Sequence, residues 1–258
     1  LLIGQKGYLG SFLYKNLYST SPEKNNIDVE LKDKKYDYLI NCASRTSLEY
    51  CQDHPDESFE SNFNILKTTH SKVPNAKIIT FSSYYVYNDT GLCNEDSNTT
   101  DLYFYNKHKM LSEKYAIQNG GIAFRLGKLF GNKNKDQGKL TDFILNNRDI
   151  TLDKVKFNPT SVQQVLKIIQ YELHNKSLKG LYNLSNAGNC SHYAYGSFIN
   201  NLLNNKNTIN KTEKIKKSFT NYGRFLMDTS KIGSIINLTP WEKDLEQFIK
   251  NVKHRRSN

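Results

Sequence analysis

The sequence lacks the spacings that would hold a metal. Its four cysteines, Cys42, Cys51, Cys93 and Cys190, form no CxxC pair, and no histidine stands at ligand spacing from them. That pattern excludes a zinc ribbon or finger and predicts free thiols in a reducing compartment. The six histidines make no HExxH set, so no structural or catalytic metal is expected. No apolar run approaches the roughly 20 residues of a membrane span, and no basic leader precedes an apolar block at the start. A soluble, cytoplasmic protein with no membrane partner is therefore expected. Leu1-Leu2-Ile3 already reads as the end of a strand, so a few residues of the natural start are expected to precede it. With no leader, the Asn-x-Ser/Thr triplets at Asn98 and Asn183 read as chance in an asparagine-rich chain. There is no internal repeat.

Acidic residues are the minority. Lys and Arg number 36 against 25 Asp and Glu, for a net charge of +11. Such an excess suits nucleic-acid binding, but the lysines are spread and only His254-Arg255-Arg256 forms a basic cluster. The distribution predicts a solvated surface and no nucleic-acid partner, with attraction of small polyanions such as nucleotide diphosphates as the alternative. At 258 residues and 37% hydrophobic content, the chain can bury a core as one large domain or two lobes.

What is present is a repeated order of apolar strand and amphipathic helix. Leu1-Leu2-Ile3 leads into Gly4-Gln5-Lys6-Gly7-Tyr8-Leu9-Gly10 and then a helical Ser11 to Leu17. Strand, glycine turn and helix in that order suit a dinucleotide site, because glycines admit a pyrophosphate and a helix N-terminus favours anions. The same glycines can simply end a strand and permit close helix packing. From Tyr18 to Tyr36 no strand ending in an acidic residue stands out, and only Ile27-Asp28-Val29 reads as a short strand. Without an acid to repel a ribose 2′-phosphate, and with Lys6 beside the second glycine, NADPH is favoured over NADH.

Tyr38 to Asn41 reads as a buried strand, and Cys42-Ala43-Ser44 as the loop at its C-terminal end, where open α/β sheets bind ligands. Cys51 to Leu66 reads as a helix. Lys77 to Phe81 is a strand that continues into Ser82-Ser83-Tyr84-Tyr85. Tyr105 and Lys109, four apart, share a helix face. Gly121 to Leu126 is another strand, and polar Asn132 to Gly138 marks a boundary. Helices are expected near Leu140 to Asn147, Ser161 to His174, His192 to Leu203 and Pro240 to Lys253, with strands at Ile150 to Leu152 and Gly180 to Ser185. The alternation predicts an α/β, Rossmann-type doubly wound parallel sheet with a smaller C-terminal α+β lobe. The expected division is a dinucleotide-binding lobe over 1–131, to which later segments can return, and a mainly substrate-binding lobe over 132–258.

These landmarks, taken in order, resemble the extended short-chain dehydrogenase/reductases, and most closely the dTDP-4-dehydrorhamnose reductase-like branch of nucleotide-sugar reductases. The matching pieces are Gly4 to Gly10, Ile40 to Ser44, Cys51 to Asn62, Ser82 to Tyr87, Tyr105 to Lys109 and Arg125-Leu126 before Gly131. They continue with Asn158-Pro159-Thr160, Gly180 to Ser185 and Leu226 to Lys231. Lys128 stands where rhamnose reductases tend to carry a tryptophan.

The resemblance implies that Ser83, Tyr105 and Lys109 are the catalytic trio, and that NADPH delivers hydride to a ketone carbon while Tyr105 gives a proton to its oxygen. Lowering a tyrosine pKa from about 10 to about 7 needs roughly 4 kcal/mol, which Lys109 is expected to supply in part. Cofactor contacts are implied at Gly4, Lys6, Gly7, Tyr8, Leu9, Gly10, Asn41, Cys42, Ala43 and Lys109. Substrate contacts are implied at Ser83, Tyr84, Tyr105, Lys128 and Arg224; Arg224 and Lys231, close to Asp228, can meet a nucleotide diphosphate or stand as solvated cations. The expected activity is NADPH-dependent reduction of a nucleotide-linked 4-keto-6-deoxy sugar by a protein that can form a homodimer. The alternatives are an epimerase with tightly bound NAD(P) and a non-catalytic protein on the same fold. Dehydratases usually carry an acid pair where Tyr84 and Tyr85 stand, which speaks against dehydration.

Overall fold

Buried on both faces, the apolar runs Tyr38–Asn41 and Ile122–Leu126 are central strands of a five-stranded sheet. Its order is Leu2–Ile3, Tyr38–Asn41, Lys77–Ser83, Ile122–Leu126 and Gly180–Leu184. Continuous rather than alternating hydrophobicity is what a strand covered on both sides requires. Register is parallel across the first four: Ile3 pairs with Asn41, Asn41 with Thr80 and Ser83 with Leu126. Helices connect the strands, giving the Rossmann-type α/β sheet that the alternation predicts. These features belong to a computed structural model, which describes residues 1–17, 31, 35–132, 139–204, 206–213 and 225–256. The strand expected at Ile27 to Val29 lies outside the described residues. No helix among those described is long and apolar enough to cross a membrane.

Two compact units divide the chain. The first comprises Leu1–Asn88, Glu95–Leu126 and Tyr171–Asn183, and the second Asp89–Asn94, Gly127–Gln170 and Leu184–Asn258. In the first, Ile3, Leu39, Leu66, Ile78 and Ala116 pack as a core. Fully buried Glu172 accepts hydrogen bonds from Tyr38 Oη at 3.0 Å, Lys77 Nζ at 2.7 Å and the Leu178 backbone N–H at 2.8 Å. Its charge is thus matched where water is excluded.

The second unit centres on Phe130, Ile144, Phe157, Tyr195, Trp241 and Leu245. Here the structure adds short strands that the sequence reading missed. Lys128–Phe130 pairs in parallel with Pro159–Ser161, and Gly91–Cys93 with Phe225–Met227. Three residues are too few for a hydrophobic period to show. Gly127 marks the first of these pairings, since a Cβ there would lie 2.2 Å from Asn158 O.

The helix read from Cys51 to Leu66 is broken into Leu48–Asp53, Pro55–Phe59, a π turn at Glu60–Asn64 and Ile65–Lys72. Pro55, lacking an N–H, opens a new helix at its first position. The Asn62 carbonyl in the π turn accepts a bond from Ser112 Oγ on the Phe104–Gln118 helix, so the irregular turn has a tertiary partner.

Burial holds several histidines towards the neutral form. His70, His108 and His192 all have pKa values below the ordinary one, with burial the leading cause. Between the native and unfolded values, the unfolded chain binds more protons. The contribution to stability is therefore full above the unfolded value of about 6.5 and is lost as pH falls through the native values. Melting temperature is expected to hold between about pH 7 and 8 and to fall below about 6; a flat profile down to pH 5 would contradict this origin.

Candidate active site

The C-terminal ends of the first three strands lie side by side, because their register is parallel and unbroken. At the first is the glycine turn. Gly4 has φ +84°, and a Cβ there would fall 2.3 Å from Ala43 N and 2.4 Å from Cys42 C. A Cβ on Gly10 would fall 2.1 Å from Gly4 O. Gly4 and Gly10 are thus demanded by the protein's own backbone. Gly7 is different: its Cβ would meet only Gly4 O at 3.3 Å and Cys42 O at 3.9 Å. The ten-residue helix Tyr8–Leu17 follows directly. Leu9 is buried in the core, so only its backbone faces the turn, whereas the Lys6 side chain is exposed.

At the second strand end, buried Asn41 donates from Nδ2 to Thr80 Oγ1 at 3.2 Å and accepts the Ala43 N–H on Oδ1 at 3.1 Å. This fixes the loop that touches the glycine turn. Burial raises the Cys42 thiol pKa, with the charge of Lys109 acting the other way. The cofactor candidates and Lys109 therefore occupy one neighbourhood.

At the third strand end are Ser83, Tyr105 and Lys109. Ser83 Oγ accepts the Tyr85 N–H at 3.2 Å and caps the short 3-10 turn Tyr84–Val86. Tyr105 and Lys109 lie on the buried face of the Phe104–Gln118 helix with Asn106, His108, Ser112 and Glu113. Lys109 Nζ stands 5.9 Å from the Tyr105 ring centre and donates to Phe81 O at 2.9 Å. Burial lowers its pKa to about 8, although Cys42, Cys51 and Glu113 act to raise it. Burial raises the Tyr105 pKa, with the nearby Ser83 hydroxyl the opposing influence.

Tyr84 is buried and its ring lies 4.3 Å from that of Tyr85. Asn106 Nδ2 donates to Tyr85 O at 2.9 Å, holding the turn after Ser83 against the helix that carries Tyr105. Lys128 belongs to the second unit, where its Nζ meets His192 Nε2 at 3.0 Å. Arg224 lies outside the described residues. Lys231 is exposed in the short helix Ser230–Gly233, and Asp228 Oδ1 accepts the Ser230 N–H at 2.9 Å. Among the described residues no cluster of three or more His, Cys, Asp or Glu could hold a metal, and all four cysteines are free.

Residues 1–254 match the family described as RmlD substrate binding domain. The chain belongs to that family. Solved structures agree in fold. A dTDP-4-dehydrorhamnose reductase from Clostridium acetobutylicum is 17% identical with a TM-score of 0.84, covering 98% of both chains. The Bacillus anthracis dTDP-4-dehydrorhamnose reductase, solved with NADP, is 19% identical with a TM-score of 0.82 over 97% of this chain and 98% of that one. A UDP-N-acetylglucosamine 4-epimerase from Methanobrevibacter ruminantium is 18% identical with a TM-score of 0.77 over 98% and 97%. No curated protein matches the chain in sequence. Membership of the RmlD family accounts for the order of landmarks along the chain.

The polar contacts around the site are what sequence reasoning missed. His108 Nδ1 lies 2.9 Å from Ser58 Oγ, and Asn62 accepts from Ser44 Oγ at 2.6 Å. The available signal was the helical spacing of Asn106, Lys109, Ser112 and Glu113. It was hidden because a buried face made of polar residues carries no hydrophobic period.

Proposed function

We propose that the protein is an NADPH-dependent reductase of the keto group of a nucleotide-linked 4-keto-6-deoxy sugar. The observation that carries the proposal is the meeting of Ser83, Tyr105 and Lys109 in the same unit as the glycine turn. Nicotinamide chemistry would supply a hydride to the ketone carbon. Tyr105, kept in its neutral form by burial, has the proton that the ketone oxygen needs. Ser83, beside the phenol, can donate to the same oxygen and hold it in place. Lys109 is cationic at neutral pH, since its value is near 8, and stabilises the phenolate left behind.

The glycine turn fits the dinucleotide. Gly7 stands directly before a helix N-terminus that favours phosphate, and its Cβ would meet the backbone less closely than one on Gly4 or Gly10. Lys6 is the cation for a 2′-phosphate, and the RmlD-family reductase from Bacillus anthracis is solved with NADP. Gly7→Ala is expected to change stability by less than about 1 kcal/mol but to weaken NADPH binding at least tenfold. Gly10→Ala, overlapping a backbone oxygen, is expected to cost about 1–3 kcal/mol or more in stability. Urea unfolding and NADPH fluorescence titration measure the two effects. Unchanged NADPH affinity in Gly7→Ala would leave the glycines a packing role alone.

The deciding experiment follows NADPH absorbance with a panel of nucleotide-linked 4-keto sugars. No consumption and no NADPH binding would refute the reductase. Nicotinamide that co-purifies with the chain, together with sugar interconversion without net NADPH loss, would instead support an epimerase.

A further inference from the structure

In the second unit, Asp153, His192 and Lys128 form a line of hydrogen bonds. Asp153 Oδ1 lies 2.8 Å from His192 Nδ1, and His192 Nε2 lies 3.0 Å from Lys128 Nζ. A lysine ammonium has only donors, so Nε2 must accept, and the ring proton stands on Nδ1 and is donated to Asp153. The His192 backbone N–H donates to Val155 O at 3.0 Å, Asp153 Oδ1 also accepts the Val155 N–H at 3.0 Å, and the Phe157 ring lies 5.0 Å from the imidazole and 5.2 Å from Lys128 Nζ. The Asp153 carboxylate stands one ring away from the ammonium. Lys128 is half-buried, and the imidazole is 19% exposed, so solvent reaches both side chains.

We propose that Lys128 recognises an anionic group of the substrate, and that His192, anchored on Asp153, is the positioning residue that aims its ammonium and releases it on taking a second proton. An imidazolium has no lone pair and repels the lysine. Burial and the Lys128 charge both disfavour that second proton, with Asp153 opposing them. The other charged groups here are Glu242, which with Lys128 acts on the Cys190 thiol, and exposed Lys156 in register with Ser191. The ligand class rests on the nucleotide-sugar reading, and the anionic oxygens can belong to its diphosphate or to a carboxylate on the sugar.

The test is calorimetric binding of UDP, UDP-glucose and UDP-glucuronate to the full chain. Lys128→Ala is expected to weaken binding roughly tenfold or more. An equal loss for all three places the contact on phosphate, and a loss confined to UDP-glucuronate places it on a carboxylate. Binding of the affected ligand should weaken from pH 7.5 to 5.5 in the parent. His192→Gln, which still offers an acceptor but does not titrate, should keep the affinity and lose the pH dependence, whereas His192→Ala should be weak throughout. The diphosphate of UDP-glucose does not itself titrate in this range. Parent-like binding by Lys128→Ala, no binding of any probe, or pH dependence of UDP-glucose or UDP-glucuronate binding surviving in His192→Gln would overturn the proposal. Intact binding with no NADPH oxidation would remove the reductase reading alone.

Discussion

Tyr105→Phe is expected to lower the turnover of NADPH-dependent reduction by about 10²–10⁴-fold, the range for loss of a positioned general acid. NADPH affinity should stay close to that of the parent. Tyr105 is 5% exposed and the variant keeps the buried ring, so stability should change by about 1 kcal/mol or less. The pH profile separates this chemistry from others. Burial keeps the phenol protonated at neutral pH, while the Lys109 value of about 8 lies within the working range. The rate should be level below that value and fall above it as Lys109 loses its charge. Undiminished turnover in Tyr105→Phe would identify another acid, and an alkaline limb far from 8 would separate the rate from Lys109.

Glu113→Gln should produce the largest loss of stability. Glu113 and Arg125 are joined twice, Nε to Oε1 at 3.0 Å and Nη2 to Oε2 at 2.8 Å, and each side chain is 6% exposed. Burial alone would lower the Arg125 pKa, but the hydrogen bonds and charge of Glu113 more than offset it and leave the value raised. Removing one partner leaves an uncompensated buried charge, at a cost of about 3–5 kcal/mol and a fall in Tm of roughly 10 °C. Arg125 also donates to Glu95 O at 3.2 Å and lies 4.7 Å over the Tyr87 ring, so the damage reaches the turn after Ser83. A double variant, Glu113→Leu with Arg125→Met, should recover part of the stability, because two apolar groups leave no charge unpaired. Urea unfolding of the three variants decides this. A loss below about 1 kcal/mol in Glu113→Gln would show that water reaches the pair.

The strands Tyr38–Asn41 and Ile122–Leu126 were legible because a strand buried on both faces is mostly apolar, with Arg125 and Asn41 the exceptions. The helix bearing Tyr105 was legible from the order of its neighbours. Its buried face was not, since most of the residues that fill it are polar and become intelligible only with their partners Ser58, Asn62 and Arg125. For the same reason the sequence could not show that burial raises the Tyr105 pKa or that Lys109 Nζ donates to Phe81 O.

By itself, then, the sequence determined the alternation of strands and helices and the glycine turn, because these are local patterns of hydrophobicity and spacing, while Ser83, Tyr105 and Lys109 were singled out by resemblance. Only the tertiary structure decided that Gly4 and Gly10 serve the backbone, that Tyr105 is buried, and that Lys128 meets the ring of His192, which bonds Asp153. Each depends on what lies close in space but far along the chain, and desolvation and hydrogen bonding act over those distances alone.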